Sequence, residues 1–153
     1  MNLPDTRPSV LFVCVKNAGK SQMAAALMRK AAGALVDVYS AGTMPGTRIN
    51  ALSAEVLAEV GVDISAETPK PIDALLLRDV DVVVILGREA RLDPVPGTLV
   101  ETWDTDEPSD RGIEGVERMR LIRDDIDQRV SRLLQQLAPT DRTGPPSEGP
   151  TGR

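Results

Sequence analysis

Histidine is missing from this 153-residue sequence, and Cys14 is its one cysteine. Without histidine there is no Ser-His or Cys-His nucleophile pair and no His-bound metal, so any nucleophile must be activated by local charge and dipoles. A lone cysteine cannot form an internal disulfide, as expected of a protein kept in a reducing cytoplasm. Phe12, Tyr39 and Trp103 are the only aromatic residues, too few for a base-stacking platform or a deep aromatic pocket. No unbroken apolar stretch approaches the ~18 residues of a membrane span. Met1 to Ser9 also lacks the charged-then-apolar pattern of a signal peptide. The net charge is -5, with basic residues scattered among acids. That distribution argues against a nucleic-acid surface while leaving room for a local positive site.

What is present reads as one domain with alternating strands and helices. The run Ser9-Val10-Leu11-Phe12-Val13-Cys14 has the character of a buried parallel strand. A loop at 15–19 leads into a helix from Ser21 to Ala32, which Gly33 closes. Further strands are expected at Val36 to Ser40, Val80 to Leu86 and Thr98 to Trp103, and a turn at 41–46. Apolar residues at helical spacing predict a helix over Ala51 to Val60, stopped at Gly61. A long amphipathic helix is expected over Ile113 to Leu137, with Met119, Ile122, Ile126, Val130, Leu133, Leu134 and Leu137 on one face. The expected organisation is an N-terminal arm at 1–8, a domain at 9–137 and a disordered tail, rich in Pro and Gly, at 138–153. This alternation argues for a doubly wound α/β fold, in which ligands sit beyond the carboxyl ends of the strands. Cys14 stands at such an end.

Between that strand and the next helix lies Cys14-Val15-Lys16-Asn17-Ala18-Gly19-Lys20-Ser21. Successive backbone N–H groups in such a turn can converge on one anion, and the helix N-terminus adds positive potential. Lys16 and Lys20 bring formal charge to the same place. A thiol in that setting is favoured as thiolate, the form that attacks. From position alone, Cys14 reads equally as a small core residue. Gly19-Lys20-Ser21 also matches the end of a nucleotide P-loop, but Cys14 stands where that motif needs its first glycine.

Phe12-Val13-Cys14 through Ser21-Gln22-Met23 resembles the thiol-dependent arsenate reductase branch of the low-molecular-weight protein tyrosine phosphatase superfamily. So do the segments Tyr39 to Gly46, Gly61 to Ser65, Pro69-Lys70 and Asp81 to Val84. Lys20, together with Thr105-Asp106-Glu107-Pro108-Ser109 and Glu117 to Arg120, is most similar to the actinobacterial arsenate-mycothiol transferases. The resemblance implies a single three-layer α/β domain with a four-stranded parallel sheet in flavodoxin-like order. It also implies Cys14 as nucleophile, an oxyanion held by Val15, Lys16, Asn17, Ala18, Gly19, Lys20 and Ser21, and no bound cofactor or metal. Asn17 is expected to hold the loop's shape. Ser21 either donates to the thiolate or caps the helix, and Ser40 and Thr43 either brace the neighbouring turn or are plain turn residues.

Several departures from the superfamily pattern shape the expected function. Lysine replaces the loop-ending arginine, supplying charge without a planar fork. Arg88 stands where the thioredoxin-coupled reductases have a resolving cysteine, so a reductase with Cys14 alone must import an external thiol. The superfamily's aspartate before proline is here Glu107 before Pro108, making Glu107 the first choice of general acid and Asp106 the second. Ser109 and Asp110 replace the aromatic pair that would wall a phosphotyrosine ring, which favours a small inorganic oxyanion. The expected activity is attack of Cys14 on arsenate and transfer of the adduct to mycothiol, with a mycoredoxin acting downstream. The alternatives are a phosphatase of the same fold and a non-catalytic oxyanion-binding module.

Overall fold

Four apolar segments pair as parallel strands, and their register decides where the chain's ends of strands meet. The structure is a computed structural model that describes residues 7–93 and 95–139. Strand β1 (Ser9–Cys14) leads into helix α1 (Lys20–Ala32), followed by β2 (Asp37–Gly42), α2 (Ala51–Ala58) and α3 (Ala74–Asp79). Strands β3 (Val82–Leu86) and β4 (Leu99–Trp103) come next, and α4 (Gly115–Leu137) is last. The sheet order is β2-β1-β3-β4, all parallel, which is the expected flavodoxin-like order.

Side chains alternate across a strand, so β1 feeds two cores. Val10, Phe12 and Cys14 face a layer with Met23, Leu27 and Met28 of α1, Val56 and Leu57 of α2, and the apolar stripe of α4. Leu11 and Val13 face the other layer, with Val83, Ile85 and the partly buried Leu76 and Leu77 of α3. The expected α4 stripe is buried at Met119, Ile122, Ile126, Val130 and Leu133, with Leu134 and Leu137 partly buried at its end. Trp103 packs on Phe12 with ring centroids 5.7 Å apart. No helix among the described residues is long and apolar enough to cross a membrane.

Two local expectations need correction. The turn expected from Ala41 begins later, because Ala41 and Gly42 continue β2 by pairing with Val13 and Cys14. Helix α3 was not expected; its six residues are too few for a period to show, and it starts on Asp73, whose carboxylate accepts from Leu75 N at 2.9 Å. Residues 1–6 of the expected arm and 140–153 of the expected tail lie outside the described residues.

Candidate active site

The loop after β1 is shaped by where its carbonyls go. Cys14 O accepts from Thr43 N at 3.0 Å, Val15 O from Met44 N at 2.7 Å, Lys16 O from Gly46 N at 2.9 Å and Ala18 O from Asn50 N at 2.8 Å. A trans peptide sets its N–H opposite its C=O, so the amides of Val15, Lys16, Asn17 and Gly19 turn away from the 43–50 segment. Among the described residues these amides have no protein acceptor. They form, with the first turn of α1, the inward-facing donor set that an oxyanion requires.

Asn17 is the keystone of that shape. Its backbone lies in the left-handed region at φ 52, which asparagine tolerates better than most residues. Its fully buried carboxamide donates from Nδ2 to Ser21 Oγ at 2.7 Å. Its Oδ1 accepts from Gln22 Nε2 at 3.0 Å and from Lys70 N at 2.9 Å. Gly42 completes the fit: a Cβ there would lie 2.6 Å from Val15 O and 3.0 Å from Asn17 N.

Within this loop Cys14 Sγ lies 2.9 Å from Ser21 Oγ. Because Ser21 Oγ already accepts from Asn17, its own hydrogen is available to an ionised sulfur. Ser21 therefore bonds the thiol instead of capping α1, whose cap position is Gly19 with no side-chain cap. Val15 packs its side chain into the second core and leaves only its backbone to the site, while Lys16 is exposed. Thr43 braces the loop through its amide; Ser40 Oγ is buried without a protein partner.

Lys20, at the start of α1, reaches across to the segment after β4. Its Nζ donates to Glu107 Oε1 at 2.9 Å, and Arg118 of α4 and Ser109 donate to Glu107 Oε2 at 3.1 and 3.3 Å. Lys20 holds the Glu107 carboxyl below the ordinary glutamate range; burial opposes it, and Arg118 adds a lesser lowering. Asp106 is engaged by both guanidinium nitrogens of Arg111 at 2.9 and 3.2 Å, which lowers its pKa too. Both expected acids are thus carboxylates in this state. Glu107 touches the loop through Lys20, whereas Asp106 shares the adjoining cleft without contacting the loop's cation.

The geometry brings together the Cys14 sulfur, an inward-facing amide set, one cation and one carboxylate at the carboxyl ends of the strands. The family model for low molecular weight phosphotyrosine protein phosphatase matches residues 9–142. The chain belongs to that family. Within it, an arsenate reductase of Bacillus cereus is 37% identical over 137 residues, covering 86% of this chain and 97% of that one. Among solved structures, a thioredoxin-dependent arsenate reductase of Corynebacterium glutamicum is 36% identical with TM-score 0.74. The match covers 88% of this chain and 64% of that chain's own length. An arsenate reductase in its phosphate-binding state is 29% identical with TM-score 0.75, covering 86% of this chain and 99% of its own.

Some parts of the site had no role in the sequence reading. Gln22 and Lys70 brace Asn17, and Arg118 holds Glu107. Gly42 carried the clearest available signal, a glycine in the turn segment beside the loop, but its need comes from backbone approach, which sequence does not display.

Proposed function

We propose that the chain is a thiol-dependent arsenate reductase of the arsenate-mycothiol transferase type. The observation that carries this reading is the seat of its one cysteine: Cys14 lies in an anion-shaped loop with its sulfur against Ser21. The names of its relatives support arsenate as the substrate, and a relative described in a phosphate-binding state supports a tetrahedral oxyanion as ligand.

Arsenate takes the amides of 15–19 and the ammonium of Lys20. The Cys14 thiolate, held by the Ser21 hydroxyl, attacks arsenic, and the departing oxygen needs a proton. Glu107 is the carboxyl best placed to handle it. When Lys20 turns from Glu107 to the oxyanion, the largest cause of that carboxyl's lowered pKa is removed, and Glu107 becomes easier to protonate. Mycothiol then attacks arsenic and displaces Cys14. The arseno-mycothiol conjugate leaves with arsenic still pentavalent, and a mycoredoxin thiol supplies the electrons for reduction afterwards. An external thiol is required because the chain has no second cysteine.

The test is purified protein with arsenate, mycothiol and its redoxin system, followed by thiol consumption. Arsenate-dependent consumption is expected. Turnover only with another thiol moves the cosubstrate, and phosphate-ester hydrolysis without arsenate turnover makes the chain a phosphatase.

A further inference from the structure

A tight turn joins Glu107 to α4. The short helical turn Pro108–Arg111 follows it, Gly112 reverses the chain at φ 80, and α4 starts at Gly115. Arg118, in the first turn of α4, is thereby returned to Glu107 from 11 positions away. The two oxygens of Glu107 are held by different parts of the fold. Oε2 accepts from Arg118 Nη2 at 3.1 Å and from Ser109 Oγ at 3.3 Å, whereas Oε1 accepts from Lys20 Nζ at 2.9 Å. Neighbouring arginines bind carboxylates in another way. Arg88 covers both oxygens of Asp104 with its fork, and Arg111 covers both of Asp106. Arg118 takes one oxygen and turns Nη1 to Met119 Sδ at 3.6 Å; among the described residues its buried Nε has no acceptor. A guanidinium that forgoes the two-pronged contact and leaves a buried donor unpaired is not placed for ion-pair strength.

We propose that Arg118 is a positioning residue for proton transfer: it fixes Glu107 by Oε2, so that Oε1 takes a proton when Lys20 turns to the oxyanion and passes it to the departing oxygen. The inference rests on the proposed thiolate attack on arsenate and assigns its proton to one atom. As the bond from Cys14 sulfur to arsenic forms, one arsenic–oxygen bond breaks. The departing hydroxyl takes the Oε1 proton and leaves as water, and Glu107 returns to carboxylate. Without Arg118, the release of Lys20 would leave the Glu107 carboxyl only the Ser109 hydroxyl, and the aim of Oε1 would be lost. Arg118 also opposes the protonation that it aims, because a cation on Oε2 favours the charged form. The other charges in the cleft are the pairs Arg88–Asp104 and Arg111–Asp106 and the exposed Glu89 and Asp110, and none bonds to the Glu107 carboxyl.

The experiment measures kcat/KM for arsenate across pH, with thiol saturating, in native protein, R118Q and R118K, and repeats both substitutions in an E107Q background. R118Q is expected to lower kcat/KM near neutrality by roughly 10- to 100-fold, the scale of a misaimed reacting group. A rate that needs protonated Glu107 falls as that proton is lost, so removing the Arg118 cation moves this alkaline limb to higher pH. R118K keeps the charge, leaves the limb where it is in native protein and recovers part of the rate. In the E107Q background each substitution should cost no more than about twofold, since no proton is left to aim. The R118K pair decides the matter by itself if R118Q does not fold. An unmoved limb in R118Q, or an equal cost with and without Glu107, makes Arg118 a structural residue and overturns the inference while the arsenate chemistry stands. E107Q as active as native protein overturns it as well. No arsenate consumption by native protein overturns the proposed function, and this inference with it.

Discussion

Substituting Gly42 with alanine tests whether close backbone approach shapes the anion loop. A Cβ at this position would meet Val15 O at 2.6 Å, Asn17 N at 3.0 Å and Lys16 C at 3.0 Å, all main-chain atoms. No flexible side-chain end can move aside, so either β2 or the loop must shift by several tenths of an ångström. Overpacking of this kind costs about 1–3 kcal/mol. At roughly 2–4 °C per kcal/mol for a domain of this size, the melting temperature should fall by about 2–12 °C. The larger effect should be on chemistry. Displacing the carbonyls of Val15 and Lys16 re-aims the amides that follow them, and such misplacement costs on the order of 10²-fold in kcat/KM. Gly46 is the internal control: its nearest contact would be Lys16 Cβ at 3.7 Å, ordinary packing. Both variants are measured by thermal unfolding and by arsenate consumption. A G42A protein as active and as stable as G46A would refute the close-approach argument.

Asn17→Ala should destabilise by roughly 2–4 kcal/mol, since it strands buried partners at Ser21 and Lys70 and puts alanine at positive φ. Asn17→Gly should recover about 1 kcal/mol of that in denaturant unfolding, and no difference between the two would remove the backbone part of the explanation. Glu59 ties α2 to α4 through Arg120 and Arg123, and its pKa is lowered from 4.5 to about 2. A depressed carboxyl stabilises above its unfolded pKa and loses that contribution as pH falls through the folded one. The melting-temperature gap between native protein and E59Q should therefore be widest near neutrality and close between pH 4.5 and about 2; a gap persisting at the acid end would contradict the assignment. Lys20→Gln should raise the titration midpoint of the Glu107 carboxyl, followed by carbon NMR, because Lys20 is the largest cause of its lowering. An unmoved midpoint would leave Lys20 no part in setting that proton affinity.

The fold was legible where packing leaves a periodic trace. The unbroken apolar runs around Phe12 and Val84 mark strands buried on both faces, and the stripe from Met119 to Leu133 marks the helix covering one core. Helix α3 left no trace because six residues cannot show a period, and the end of β2 was hidden because Ala41 and Gly42 look like turn residues. Their strand state comes from pairing with β1, a long-range cause. At the site, Cys14, Asn17, Lys20 and Ser21 could be picked out because strand, loop and helix are contiguous in sequence. The ionised state of Glu107 could not, because it depends on Lys20, 87 positions away, and on Arg118 one turn into another helix.

The central claim is that Cys14 is the nucleophile of an oxyanion cradle, and C14S tests it most directly. Arsenate binding by calorimetry and arsenate consumption with thiol are measured side by side on native and variant proteins. The loop amides and Lys20 predict that C14S still binds arsenate, while consumption falls to background. Continued consumption by C14S would contradict the account.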